Sequence, residues 1–467
     1  PNFISTLKEH QGLGFFSGFA SYFVDSNILL CQEIPYIVVA DSWIIPDGGK
    51  LKIKEKAELP ALYNSQILAN FNNKYHRFTK AEISIFSSKE FLATGNYIVS
   101  SDTTINSKVF FDNIEPNNEG VTVAKGKISI DSNFYLSPQF KYYGDILIKG
   151  GDIGATYDGQ TKVITNCKEL ELDWIEFQAI VDTNKIIIPL GESFTDKVSG
   201  PTIYNDGEIS FYTAFLADKK FETDQAITPS EGFLSYNKEK GLFEIGAKAK
   251  LLDNKAAGNY ITFDNENCSF SSIGSLNLFG SNDQFKLDIV GEMSYNKLRD
   301  TVLKMNGTMK VSFPFNELVT NQLSKEVSGA PVQELIQLDK TNYELFLNNT
   351  VSPIQIDKVK NELFTNGRIS KLPEELKSVL TLFDLNFYWN DDLQSFVSTG
   401  NANIATAGDN QLFKRCKVYV QIQKRRSGDK FTLLIEHKDD EFYYFDYFNG
   451  ELLTYSTDKI YLELIEA

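Results

Sequence analysis

Residues 133–148 read NFYLSPQFKYYGDILI, and residues 282–295 read NDQFKLDIVGEMSY. Each shows a strand-like segment, a glycine, then a second strand-like segment. Apolar residues at period two mark a half-buried β-strand. The glycine can take positive φ without a Cβ clash, so it is read as a corner or bulge that starts the next strand. The same motif recurs as GKISI (126–130), GDILI (144–148), GEISF (207–211) and GFLSY (232–236). It returns as GSLNL (274–278), GEMSY (291–295), GTMKV (307–311) and GNANI (400–404). The repeats are loose and their period is uneven. That predicts a mainly β protein of stacked antiparallel strands, an irregular β-solenoid or an open β-jellyroll, and not a fixed-blade propeller. One apolar stripe per strand implies one dry face and one wet face. Residues 1–312 are assigned to this repetitive region.

Further along, the period changes. Residues 316–329 read as an amphipathic helix with Leu318, Val319, Leu323 and Val327 on one face, capped by Asn316 and ended by Gly329. Segments 332–338, 358–364 and 373–380 also read as helical, the last with Pro373 in its first turn. Residues 313–385 are therefore expected to be a helical insert. The tail, 386–467, is expected to be a C-terminal antiparallel β-meander. Its strands are CKVYVQIQK (416–424), KFTLLIEH (430–437), EFYYFDYF (441–448) and ELLTYS (451–456). Asn449 and Gly450 between the last two signal a type I′ hairpin.

Composition agrees with a packed β protein. Of 467 residues, 42% are hydrophobic and 23% charged, which excludes a disordered chain, a collagen and a coiled coil. The 36 Phe and 22 Tyr favour sheet surfaces. Net charge is −16, from 46 basic and 62 acidic residues, so no nucleic-acid partner is expected. No apolar run reaches the roughly 18–20 residues of a membrane-spanning helix. The sequence opens at Pro1 with no leader pattern, read as a mature exported chain or a fragment of a longer one. Cys31, Cys167, Cys268 and Cys416 lie too far apart for a zinc ribbon or a CxxC redox site. They are read foremost as small buried core residues. One or two long-range disulfides in an oxidising compartment are the alternative.

Chemistry-bearing motifs are sparse. Residues 12–18 and 47–50 miss the dinucleotide and phosphate-loop patterns, and 191–195 lacks the second glycine of a nucleophile elbow. None of His10, His76 and His437 has a carboxylate or second His at i+4 on a helix, and His76 is expected to hydrogen-bond a neighbouring strand. Acidic clusters at Asp264/Glu266, Asp391/Asp392 and Asp439/Asp440/Glu441 lie beside turns, where Asp is expected without any calcium. No catalytic residue, cofactor or metal is assigned. Two features could form an interaction surface. The aromatics Tyr443, Phe445 and Tyr447 could stack on a ligand, against a reading as buried core. Lys424, Arg425 and Arg426 could dock a partner, against a reading as a solvated hairpin tip.

ADSWIIP (40–46), LYNSQILAN (62–70), KYHRFTKAEISIFSSKEFLATGNYI (74–98) and AKGKISIDSNFYLSPQFKYYGDILI (124–148) resemble the C-terminal region of very large exported β-repeat proteins of Bacteroidota. Residues 161–182 and 424–436 continue the resemblance. That family has no assigned activity, so the resemblance implies export and a β fold and gives no residue a role. Residues 80–114 more loosely resemble the organic-solvent-tolerance-like β-jellyroll proteins that bridge lipopolysaccharide transport. There, stacked strands form an open trough with an apolar interior.

Together these readings predict a non-enzymatic, exported cell-envelope scaffold, in the periplasm or associated with the outer membrane. It would be a subunit of an outer-membrane assembly, protein-secretion or surface-motility complex. The alternatives are a lipid or glycolipid carrier on a β-trough, and a carbohydrate-binding or carbohydrate-active protein.

Overall fold

The computed structural model describes residues 1–102, 105–168, 170–181, 186–191, 196–205, 208–296, 302–330 and 342–466. The fold is mainly β, with large antiparallel sheets and five α-helices among the described residues. The chain forms two compact units: Pro1–Thr165 with Trp174–Pro189, and Asn166–Asp173 with Leu190–Ala467. These units do not coincide with the three segments expected from sequence, because helices and tail belong to one unit with much of the β region.

In the first unit, most strands add to a single sheet in chain order. The run from Leu62–Ala69 through His76–Ser87, Glu90–Asp102, Ile105–Pro116 and Thr122–Ile128 to Phe140–Lys149, Ala155–Val163 and Ile175–Val181 is an antiparallel meander. Alternation holds on either side of a bulge at Lys80: in His76–Ser87, Phe78, then Ala81, Ile83 and Ile85, are buried while Arg77, Glu82 and Phe86 face out. One dry face and one wet face follow, as expected. The dry face is aromatic, with Phe78 against Phe111 at 5.5 Å and Tyr142 against Tyr157 at 5.1 Å.

In the second unit, an unbroken antiparallel run leads from Phe233–Asn237 to Glu451–Ser456. A four-stranded sheet accompanies it, whose Lys197–Asn205 and Ile209–Asp218 strands pair antiparallel. Phe215 of that sheet packs on Phe243, Phe263 and Phe270. The helices are α1 (Lys248–Leu252), α2 (Glu317–Val327), α3 (Asn342–Thr350), α4 (Ile356–Asn366) and α5 (Lys459–Glu466). Tyr343, Phe346 and Leu347 of α3 and Val359 and Leu363 of α4 share a core with Phe383, Ala405 and Phe413 of the strands.

Several expectations are corrected. The recurrent glycines are mostly not corners. Gly126, Gly144, Gly291, Gly307 and Gly400 lie inside strands. Gly232, at φ +86°, does precede its strand, and Gly207 falls outside the described residues. The helix over 316–329 forms, with the Asn316 side chain accepting from Leu318 N–H, but Leu318 itself is 59% exposed. Segment 358–364 lies within α4, and 332–338 lies outside the described residues. Segment 373–380 is not a helix: a short 3₁₀ turn at Glu374–Leu376 leads into the strand Ser378–Asn390. That strand is buried on both faces from Val379 to Phe383, because a helical layer covers the sheet there. Its apolar run therefore lacks the alternation that signals a strand. Helices α1, α3 and α5 have no counterpart among the expected helical segments.

The tail strands agree closely with expectation: Asn410–Gln423, Lys430–Lys438, Glu441–Phe448 and Glu451–Ser456. Asn449 and Gly450 both have positive φ, as a type I′ turn requires. Cys167 and Cys268 form a disulfide, which corrects the foremost reading of four buried thiols, while Cys31 and Cys416 are free and buried.

Candidate functional site

The expected interaction surface does not assemble as one patch. Glu441–Phe448 is an interior strand, paired on both sides. Tyr443, Phe445 and Tyr447 point to its dry face and are 0%, 0% and 4% exposed. Tyr447 stacks on Phe285 at 4.2 Å, and its hydroxyl accepts from Asn282. The Tyr443 hydroxyl donates to Asp458, and burial pushes its pKa upward. These three are core. Lys424 is buried as well. It pairs with Asp429 and donates to the Leu278 carbonyl and Gln225, so it fastens the turn and is not offered to a partner. Only Arg425 and Arg426 are exposed, and Arg425 lies over the Phe448 ring.

The histidines separate into different environments. His76 opens its strand and is 1% exposed. Its Nε2 lies 2.8 Å from the Asp152 carbonyl, and a carbonyl only accepts, so Nε2 carries the proton. Its Nδ1, 3.0 Å from the Tyr97 hydroxyl on the neighbouring strand, accepts. That is the structural role expected. His437 is different. It is 5% exposed, yet neither ring nitrogen has a hydrogen-bond partner. Glu441, from the next strand, brings a carboxylate oxygen to 3.3 Å from Nε2, outside hydrogen-bond geometry. Glu326 of α2 brings another, and one ligand atom from each of the three residues lies within 4.8 Å of the others. His437 and Glu441 are four apart across a hairpin turn. A search for that spacing on helices passes over them.

Of the acidic clusters, Asp264 caps its turn. Asp264 accepts from the backbone of Glu266 and Asn267, and Asp391 accepts from the Trp389 indole.

The first unit offers a surface instead. On its wet face, three consecutive strands expose Phe86, Leu92, Ile98 and Phe110 at 49%, 46%, 50% and 59%. Beside Phe110 opens a groove of about 700 Å³ lined by Val109, Ile128, Phe134 and Tyr135, with Lys108 and Lys127 among its polar residues. Sequence periodicity marks those positions as outward. It gives no sign that Phe86 would neighbour Leu92, or Ile98 neighbour Phe110, on adjacent strands.

No helix among the described residues is long and apolar enough to cross a membrane. No family model, curated protein or solved structure matches the chain.

Proposed function

We propose that this chain is a non-enzymatic scaffold exported to an oxidising compartment of a cell envelope, where it is a subunit of an outer-membrane assembly, secretion or surface-motility complex. The observation that carries this reading is the apolar set Phe86, Leu92, Ile98 and Phe110 on the wet face of the first sheet. Exposed apolar pairs on adjacent strands, Phe86 by Leu92 and Ile98 by Phe110, favour burial against a partner. The Cys167–Cys268 disulfide supports export, since such bonds persist in oxidising compartments. Affinity purification from the native source in mild detergent, with mass spectrometry of co-purifying proteins, tests it. Envelope proteins at fixed stoichiometry, lost in a Leu92→Glu/Phe110→Glu variant, are the expected result. A chain that purifies alone overturns it.

A second reading, a lipid carrier, is favoured by the groove beside Phe110. Its volume falls in the range of small-molecule sites, and lysines near apolar walls suit an anionic lipid. Lipid bound to a monomer in the same purification supports the carrier. For the carbohydrate alternative, Tyr443, Phe445 and Tyr447 are core, so any stacking would fall to the opposite face with Tyr444 and Tyr455.

A further inference from the structure

Glu326, His437 and Glu441 come from α2 and from two adjoining strands, and each turns a ligand atom toward the same point. We propose that they bind one divalent transition-metal ion of the zinc class, which pins α2 to the hairpin.

The first argument is His437 itself. Buried polar groups are nearly always hydrogen-bonded, and an interior imidazole with no hydrogen bond to Nδ1 and only the Glu441 carboxylate 3.3 Å from Nε2 is an exception that calls for a ligand. The second is how the backbone presents it. Glu436 pairs with Phe442, but Lys438 pairs with Glu441, so His437 is the extra residue of a β-bulge. Bulges re-aim side chains and occur beside functional sites. His437 keeps to the buried face of Leu433 and Ile435, and the bulge lies beside Glu326 of α2.

The ligand chemistry then selects the ion. One imidazole and two carboxylates form a mixed nitrogen–oxygen set, which suits zinc and its first-row neighbours. Calcium and magnesium prefer oxygen alone. Zinc bonds of about 2.0–2.2 Å place ligand atoms roughly 3.3–3.5 Å apart. His437 Nε2 and Glu441 Oε2 already meet that spacing, at 3.3 Å. Glu441 is half-exposed and Glu326 partly so, and the latter can close in by side-chain rotation. Two carboxylates with a neutral imidazole carry −2, which a divalent ion neutralises.

The site has one competitor. Lys438 Nζ donates to Glu441 Oε2 at 3.0 Å, and Gln322 donates to Glu326 at 3.4 Å. The ion would displace the ammonium, so Lys438 sets an electrostatic cost on binding. A plain ion pair among His437, Lys438 and Glu441 is the rival account, and the two differ in what Lys438 does.

Calorimetric titration of the chelator-stripped full chain with zinc at neutral pH, paired with the visible spectrum of the cobalt form, tests the proposal. One ion per chain is expected. Glu326→Gln and His437→Gln should each weaken binding by about tenfold or more. Lys438→Gln should tighten it severalfold, because the competing cation is gone. His10→Gln should leave it unchanged. Glu326 is on the partly exposed side of α2, so its variant remains informative where His437→Gln disturbs packing. No uptake in excess zinc overturns the proposal. So does uptake that Glu326→Gln and Lys438→Gln leave unaltered.

Discussion

Gly291 faces Gly274 across one strand pair and Gly307 across the other, so three glycines form a row through the second unit's sheet. A Cβ on Gly291 would lie 2.6 Å from the Gly307 Cα and would strike the Asn306 carbonyl. In the first unit, Gly144 faces Gly159 in the same way, and the Tyr142 hydroxyl lies 2.7 Å from where a Gly144 Cβ would be. These glycines permit close backbone approach within strands and do not start them. Gly291→Ala is expected to cost about 1–3 kcal/mol through overpacking, read as a lower urea midpoint at constant slope. An unchanged midpoint would show that the sheet relaxes freely there. His76 gives a second prediction at this scale. Desolvation lowers its pKa below the ordinary 6.5, partly opposed by the Asp152 carbonyl. The unfolded chain then takes up the proton first. Stability is full above pH 6.5 and is lost as pH falls through the lower folded value. His437 acts with the same sign. His76→Gln should flatten the loss of stability on acidification, measured as urea midpoints across that window. A slope equal to wild type would place the acid sensitivity elsewhere.

Among the elements, α2 was the most legible helix, because its start signal and its 3–4 periodicity coincide. Asn316 caps it by accepting from Leu318 N–H at 2.9 Å, while Val319, Leu323 and Val327 enter the core. Asn316→Ala should cost about 1 kcal/mol, and Asn316→Asp almost nothing, in thermal or urea unfolding. Equal losses in both variants would point to a role for the amide beyond capping. The hairpin of Glu441–Phe448 and Glu451–Ser456 was equally legible, since Asn–Gly admits positive φ at both central positions. The strand Ser378–Asn390 was not. Its helix-like apolar run reflects burial on both sides, which depends on α3 packing against Phe383.

For the whole molecule, the sequence-distant link is Cys167–Cys268, within the second unit and separated by 101 residues. Closing a loop of that size removes unfolded-state entropy worth roughly 4–5 kcal/mol in the chain-entropy account, and typical measured values are about 2–4. Reducing agent, or Cys167→Ser with Cys268→Ser, should lower the second unit's unfolding midpoint. Fluorescence of Trp389, in that unit, reports it. An unaltered midpoint would mean that the disulfide constrains little of the unfolded chain. Two compact units also predict that unfolding need not be a single transition.

The sequence by itself determined the β class, the tail hairpins and the capped helix, because alternation, turn residues and caps are local signals carried by residues a few positions apart. Only the tertiary structure decided what each dry face packs against and where the recurrent glycines sit. Tyr443, Phe445 and Tyr447 became core, and Lys424 became a buried ion-pair member, because strands distant in sequence pack over them. The meeting of Glu326 with His437 and Glu441 has the same origin. It requires α2 to lie over a bulged hairpin more than a hundred residues later, and no local pattern encodes that contact.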